Sequence, residues 1–167
     1  MKKITLLLFI LMMNVLFFAN AQSKDEASAK VFANKLFYAV KKNDLEGFKA
    51  MSMTLPDWQK TLALTKVSKE EKATIQAAGK ADIVEYHERK KFDKMQKLAK
   101  REFIKWDQII IDSHDNSVTK DGPLTVMSFK VHFRFEARSF VFTATDCVKT
   151  PTGWKMRKGA DITVESK

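Results

Sequence analysis

The sequence predicts an α+β fold, with N-terminal helices packed on a curved antiparallel sheet of about four strands to make a cone-like roll. Three observations point there. Apolar residues recur at helical spacing as far as Arg101, and after it the pattern changes to alternation. Gly, Pro and Asp then gather where hairpins must turn. Helices followed by a run of strands is the α+β order, in which the helices cover one face of the sheet.

The helical part divides at recognisable stops. Ala29, Phe32, Ala33, Leu36, Phe37 and Val40 share one face of a helix running from about Asp25 to Lys42, and Asn43 ends it. Asp44 is placed to cap a second short helix through Met51, which buries Leu45 and Phe48. Pro56 forces a turn at Leu55 and suits the first turn of a brief helix through Leu64. Ser68-Lys69-Glu70-Glu71 matches a capping box and opens a long helix to Arg101, bent or broken near Gly79. Its inner positions are Ala77, Ala81, Val84, Phe92, Met95, Leu98 and Ala99. Its outer side carries cations from Arg89 to Arg101.

Four strands are expected next. The first covers Phe103 to Asp112, followed by a polar loop from Ser113 to Pro123 with Asp121-Gly122-Pro123 as its turn. In the second, Leu124 to Glu136, Phe129, Val131, Phe133 and Phe135 alternate with Lys130, His132, Arg134 and Glu136, as in a sheet with one buried face. Arg138 to Lys149 is the third, with Phe140, Phe142 and Ala144 on the apolar side. Thr150-Pro151-Thr152-Gly153 turns the chain into a closing strand from Trp154 to Val164.

Residues 1–21 have the form of a cleavable signal peptide, leaving one domain over 22–167. Met1-Lys2-Lys3 is a positive start, Ile4 to Phe18 an apolar run, and Ala19-Asn20-Ala21 the small-polar-small cleavage pattern. A membrane anchor is the alternative, but the run falls short of the roughly 20 residues that cross a hydrocarbon core. Gln22 stands where a lipoprotein would carry its lipidated cysteine. No later segment approaches transmembrane length, so the mature product is expected to be soluble, in the periplasm or secreted. Loss of Lys2 and Lys3 leaves 28 basic against 20 acidic residues, a formal charge of +8. Export permits disulfides, yet the single Cys147 cannot form one internally, so an apolar core must supply stability.

The chain resembles the nuclear transport factor 2-like and cystatin-like rolls. Phe32 to Phe48, a helix, a tight Asn43-Asp44 break and a second helix, carries the likeness with the closing Thr152-Gly153-Trp154-Lys155-Met156 hairpin. The resemblance implies a pocket in the cone between sheet and helices, and dimers formed through the sheet face. Enzymes of that kind place a His and an acid inside the cone, whereas His132 falls on the polar side of its strand.

Sequences for nucleotide cradles, nucleophile elbows and zinc helices do not occur. His87, His114 and His132 have no ligand spacing. No cofactor, metal or catalytic residue is therefore assigned. Asp107, Asp112, Asp115 and Asp146 sit near expected strand ends and read as turn residues. The candidate binding residues are Trp58, Trp106 and Trp154, with large apolar faces, and His132, Arg134 and Arg138, which join Lys130 in a cationic patch on the exposed sheet. The leading expectation is a non-enzymatic exported binding module. Its partner would be a small apolar ligand in the cone, or another protein or a second copy on the sheet face; nucleic acid is not expected. A small pocket enzyme (hydrolase, dehydratase or isomerase) using a His and a carboxylate is the alternative, and attachment of the Arg89 to Arg101 helix to an anionic surface is a third reading. Export makes a first prediction: the intact mass of the exported protein corresponds to a chain beginning at Gln22, and a mass that retains residues 1–21 contradicts it.

Overall fold

The computed structural model describes residues 24–63, 68–70, 73, 81–122 and 124–165. The expected signal peptide, the Glu71 half of the capping box, Ala77, Gly79 and the side chains of Ala81 and Val84 lie outside the described residues. Helix α1 spans residues 24–41 and buries Ala29, Phe32, Ala33, Leu36, Phe37 and Val40, the face its spacing predicts. Its end is a Schellman motif. Asn43 adopts a left-handed φ of 55°, and the amides of Asn43 and Asp44 return to the carbonyls of Val40 and Ala39. Asp44 then caps α2 (Leu45–Ala50) by accepting from the Gly47 amide at 2.8 Å. Helix α3 is Leu55–Ala63 and α4 is Ala81–Arg101.

Five antiparallel strands follow: β1 (Ile110–Asp121), β2 (Leu124–Phe135), β3 (Arg138–Thr150), β4 (Gly153–Met156) and β5 (Ala160–Val164). Three expectations are corrected here. The segment Ser113 to Asp121 is strand rather than loop, and Phe103 to Ile109 is connection rather than strand. The β1 ladder runs from Ile110 opposite Arg134 to Asp121 opposite Leu124. Almost all of β1 is exposed on both faces, so it carries no apolar alternation to be read. Its backbone is held by β2 alone, and its charges suit an open sheet edge. The closing strand is also split: β4 and β5 lie end to end along β3, on Cys147–Thr150 and Phe140–Ala144 respectively. The far edge of β4 is occupied by residues 51–53, through backbone bonds of 2.8 Å from Met53 to Met156 and from Met156 to Met51.

The split coincides with a bulge in β3. Met127 pairs with Cys147 but Phe129 with Ala144, so Thr145 and Asp146 together oppose Ser128, and Asp146 has a left-handed φ of 62°. One extra residue reverses the faces of everything after it. Before the bulge Phe140, Phe142 and Ala144 point to the principal core; after it Cys147 does, and Val148 points to the opposite face. There α3 makes a second, smaller core from Trp58, Leu62 and Val148, with Met53.

A polar clamp holds the bulge. Arg157, in the link between β4 and β5, donates to both oxygens of Asp146, at 2.7 Å from Nε, and reaches Asp121 at 3.3 Å. Lys158 adds a contact of 3.1 Å to Asp146. The Arg157 guanidinium also lies 5.8 Å from the Trp58 ring centroid, which joins the clamp to the second core.

Helix α4 ends as α1 does, with a different residue in the strained position. The amides of Phe103 and Ile104 return to Lys100 and Ala99, and Phe103 takes the left-handed place at φ 55°. Asparagine at Asn43 tolerates that conformation. A bulky side chain pays about 1 kcal/mol or more for it, and Phe103 recovers nothing by burial, being 81% exposed.

Burial by itself would raise the pKa of Asp146, but the hydrogen bonds from Arg157 and Lys158 outweigh it and hold the carboxyl below its usual range. A depressed pKa means that this stabilisation is present above the ordinary carboxylate range and is lost as pH falls through the depressed value. Replacing Asp146 by Ala is expected to cost about 2 kcal/mol at neutral pH, by loss of charge-assisted hydrogen bonds, and to flatten the acid limb of the stability profile. Denaturant titrations of both proteins across the acid range measure it.

Candidate functional site

The outer face of the sheet carries the polar half of the β2 alternation. His132 lies between two carboxylates, with Nε2 3.0 Å from Asp115 on β1 and Nδ1 2.8 Å from Glu165 just after β5. Register explains the meeting, since Ser113 is opposite His132, Asp115 is two pairs further along β1 on the same face, and the Glu165 amide bonds the Ser139 carbonyl at the start of β3. Arg134 grips Asp112 with Nε at 2.8 and 2.9 Å from the two oxygens, and this contact raises its pKa further. Arg138 pairs with Glu102, at the end of α4.

The cationic patch expected from Lys130, His132, Arg134 and Arg138 is thus largely a set of ion pairs. Alternation along one strand displays its cations, whereas the neutralising acids come from β1, the α4 end and Glu165. The His132 contacts also bear on chemistry. Both ring nitrogens face carboxylate oxygens, and neither is directed at open space. His132 is half-buried on the sheet face and His114 is exposed on β1.

The tryptophans do not share a pocket. Trp154 lies in the principal core and donates to the Ser28 hydroxyl at 3.0 Å, while Trp58 belongs to the second core across the sheet. Trp106 is partly exposed at the margin of the principal core, with ring centroids 6.3 Å from Phe37 and 5.8 Å from Phe133. Phe37 is in turn 5.6 Å from Phe133 and 5.3 Å from Phe142, and Phe133 stacks on Phe140 at 5.3 Å. Aromatic rings therefore occupy the space between α1 and the sheet.

Neither family models, nor curated proteins, nor solved structures match this chain. Its function must be argued from its surface. Among the described residues no group of three or more His, Cys, Asp and Glu is arranged to hold a metal ion, and no helix is long and apolar enough to cross a membrane.

Open grooves mark the surface formed by the described residues. One, of about 820 Å³, follows α4, and its described lining includes His87, Lys90, Lys94, Lys97, Leu98 and Arg101. Lys94 is engaged with Asp161 of β5 at 2.6 Å, and Lys91 donates to the Lys158 carbonyl, so part of this basic face fastens α4 to the sheet. Another, of about 540 Å³, lies between α1 and α2 beside Val31 and Tyr38.

Glu88 stands on α4 just before the basic run from Arg89 to Arg101. Glu88 is 5% exposed, and its Oε2 and the buried Ser52 hydroxyl complete no hydrogen bond among the described residues. Burial raises the Glu88 pKa, opposed by Lys91 at 3.9 Å and by Ser52 and His87. Cys147 is buried too; desolvation, with the charges of Asp146 and Glu88, pushes its thiol up to about 12, which makes it inert as a nucleophile. A raised carboxyl pKa favours folding below the unfolded-state value and loses that contribution as pH rises through the folded-state value. Glu88→Gln is accordingly expected to stabilise the protein at neutral pH by about 1 kcal/mol, through removal of an incompletely paired buried charge. Its melting temperature, compared with that of the parent at pH 7 and pH 4, checks both sign and pH dependence.

Proposed function

We propose that this protein is an exported, non-catalytic binding module, a roll of the nuclear transport factor 2-like or cystatin-like kind that engages its partner through its outer surface. The supporting observation is the filled interior. A small apolar ligand in the cone would have to displace Phe37, Phe133 or Trp106 from mutual contacts of 5.6 to 6.3 Å, at the energetic cost of breaking a close-packed core. The Ala19-Asn20-Ala21 cleavage pattern supports export to the periplasm or beyond.

The His132 contacts fit this reading. Asp115 and Glu165 tie β1 and the end of β5 to the centre of the sheet through one side chain, a structural use of a His and carboxylates on an open face. A pocket enzyme built on the same residues would need a cavity around them. The expected result is that mature protein purified gently from its own host carries a macromolecular partner or a second copy in native mass spectrometry, without a small apolar ligand. A stoichiometric small ligand, or substrate turnover abolished by His132→Ala, overturns the proposal.

A further inference from the structure

We infer that the end of the molecule around Phe103 docks on an anionic lipid surface, with Phe103 entering the interface and the cations of α4 meeting phosphate headgroups. This deepens the binding-module reading and rests on it. The juxtaposition that carries it is an exposed aromatic side chain held in an unfavourable backbone conformation at the tip of a strongly basic helix.

Phe103 occupies a place in its Schellman motif where glycine or asparagine would fold more easily, and its ring is 81% exposed. Packing within the chain therefore does not explain the residue. An outlier of this kind with no structural return directs attention to what lies outside the chain. The register of the sheet brings further apolar surface to the same end. Arg138, in the ion pair with Glu102 beside Phe103, begins β3 just after the β2–β3 turn; Ile110 pairs with Arg134 shortly before that turn, and Val164 pairs with Phe140 shortly after it. Ile110 is 58% exposed and Val164 44%. Among the described residues the remaining exposed large apolar side chains are Ile111, next to Ile110 on β1, and Val31 and Tyr38 on α1.

The charges around Phe103 define the partner. Lys97, Lys100, Arg101, Lys105, Arg134 and Arg138 outnumber Glu102, Asp107, Asp112 and Glu136. Arg101 and Arg138 are engaged by Glu102 and Arg134 by Asp112, which leaves Lys97, Lys100 and Lys105 against Asp107 and Glu136 in this stretch. The basic groove continues away from this end along α4. An aromatic tip with long cationic side chains around it suits a fluid anionic interface, where the ring enters the headgroup boundary while lysines extend to phosphates. A protein partner would instead favour a contiguous apolar patch with a pocket to seat it. Here Phe103 stands exposed at a helix end, and Ile110 and Val164 lie on different strands, β1 and β5.

The backbone strain supplies a variant whose folding the local conformation favours. Phe103→Gly relieves the left-handed residue, so its melting temperature should rise by about 2–4 °C. Its binding to vesicles should fall about tenfold, the scale expected for loss of one interfacial phenylalanine. The experiment is cosedimentation of the mature protein, residues 22–167, with vesicles of phosphatidylcholine containing about one third phosphatidylglycerol, and with phosphatidylcholine alone, at about 50 and 500 mM salt. Binding to the anionic vesicles alone, weakened by salt, reduced in Phe103→Gly and abolished in the double variant Lys100→Glu/Lys105→Glu, is the expected result. Absence of binding, equal binding to both vesicle types, or unaltered binding by a more stable Phe103→Gly overturns the proposal. So does sedimentation of the free protein as a dimer that Phe103→Gly dissociates, which would assign this end to a second copy. Loss of vesicle binding with a macromolecular partner still present by native mass spectrometry overturns only the lipid assignment. Turnover dependent on His132 overturns the binding-module reading itself.

Discussion

The bulge at Thr145 and Asp146 governs the placement of the chain around it, because a strand has a period of two and one inserted residue exchanges its faces. Before it, β3 presents Phe140, Phe142 and Ala144 to α1 and α4. After it, Cys147 keeps the inner side, and Val148 turns outward to meet α3. The same two residues face the gap between β4 and β5, where Arg157 closes on Asp146. One local irregularity thus yields two cores on opposite faces of one sheet, and a single ion-paired cluster joins them. The left-handed Asp146 is a compatible choice, since an aspartate tolerates that conformation and supplies the carboxylate the clamp requires.

The polar face follows a different logic from the core. Three of the side chains that alternation places there meet acids from other elements: His132 from β1 and the end of β5, Arg134 from β1, Arg138 from the end of α4. On an exposed surface such pairs contribute little stability individually. They do fix the position of β1, which has almost no buried side chain of its own, and they leave this face nearly balanced in charge. Basic character is displaced to α4, where Glu88 is buried and Asp93 is the one exposed acid among many cations in the described part of the helix.

A filled interior and a balanced sheet face together move attention to the ends of the helices. Two helices of this protein stop by the same hydrogen-bond pattern, one with Asn43 and one with Phe103. Asn43 is a residue that helix ends select. Phe103 departs from the local rule without recovering burial energy, and a departure of that kind is where sequence-level consistency gives way to function or strain.

The sequence by itself determined the order of helices and strands, the apolar stripe of α1, the Asn43-Asp44 break, the β2 alternation and the Pro151-Thr152 hairpin. Each of these is a repeat or a backbone preference written in adjacent residues, where period and turn chemistry act locally. It did not reveal β1 beyond Asp112, because an edge strand exposed on both faces needs only a partner's backbone and leaves no apolar signature. Nor did it reveal the break between β4 and β5, which depends on a bulge in a different strand. Among the candidate binding residues, side-chain type marked Trp58, Trp106 and Trp154 as large apolar faces and His132, Arg134 and Arg138 as charged. Only the tertiary structure decided that two tryptophans serve separate cores and that His132, Arg134 and Arg138 already face carboxylates. Burial and charge neutralisation belong to residues distant in sequence, and Phe103 read as the first residue of a strand until the end of α4 placed it in the open.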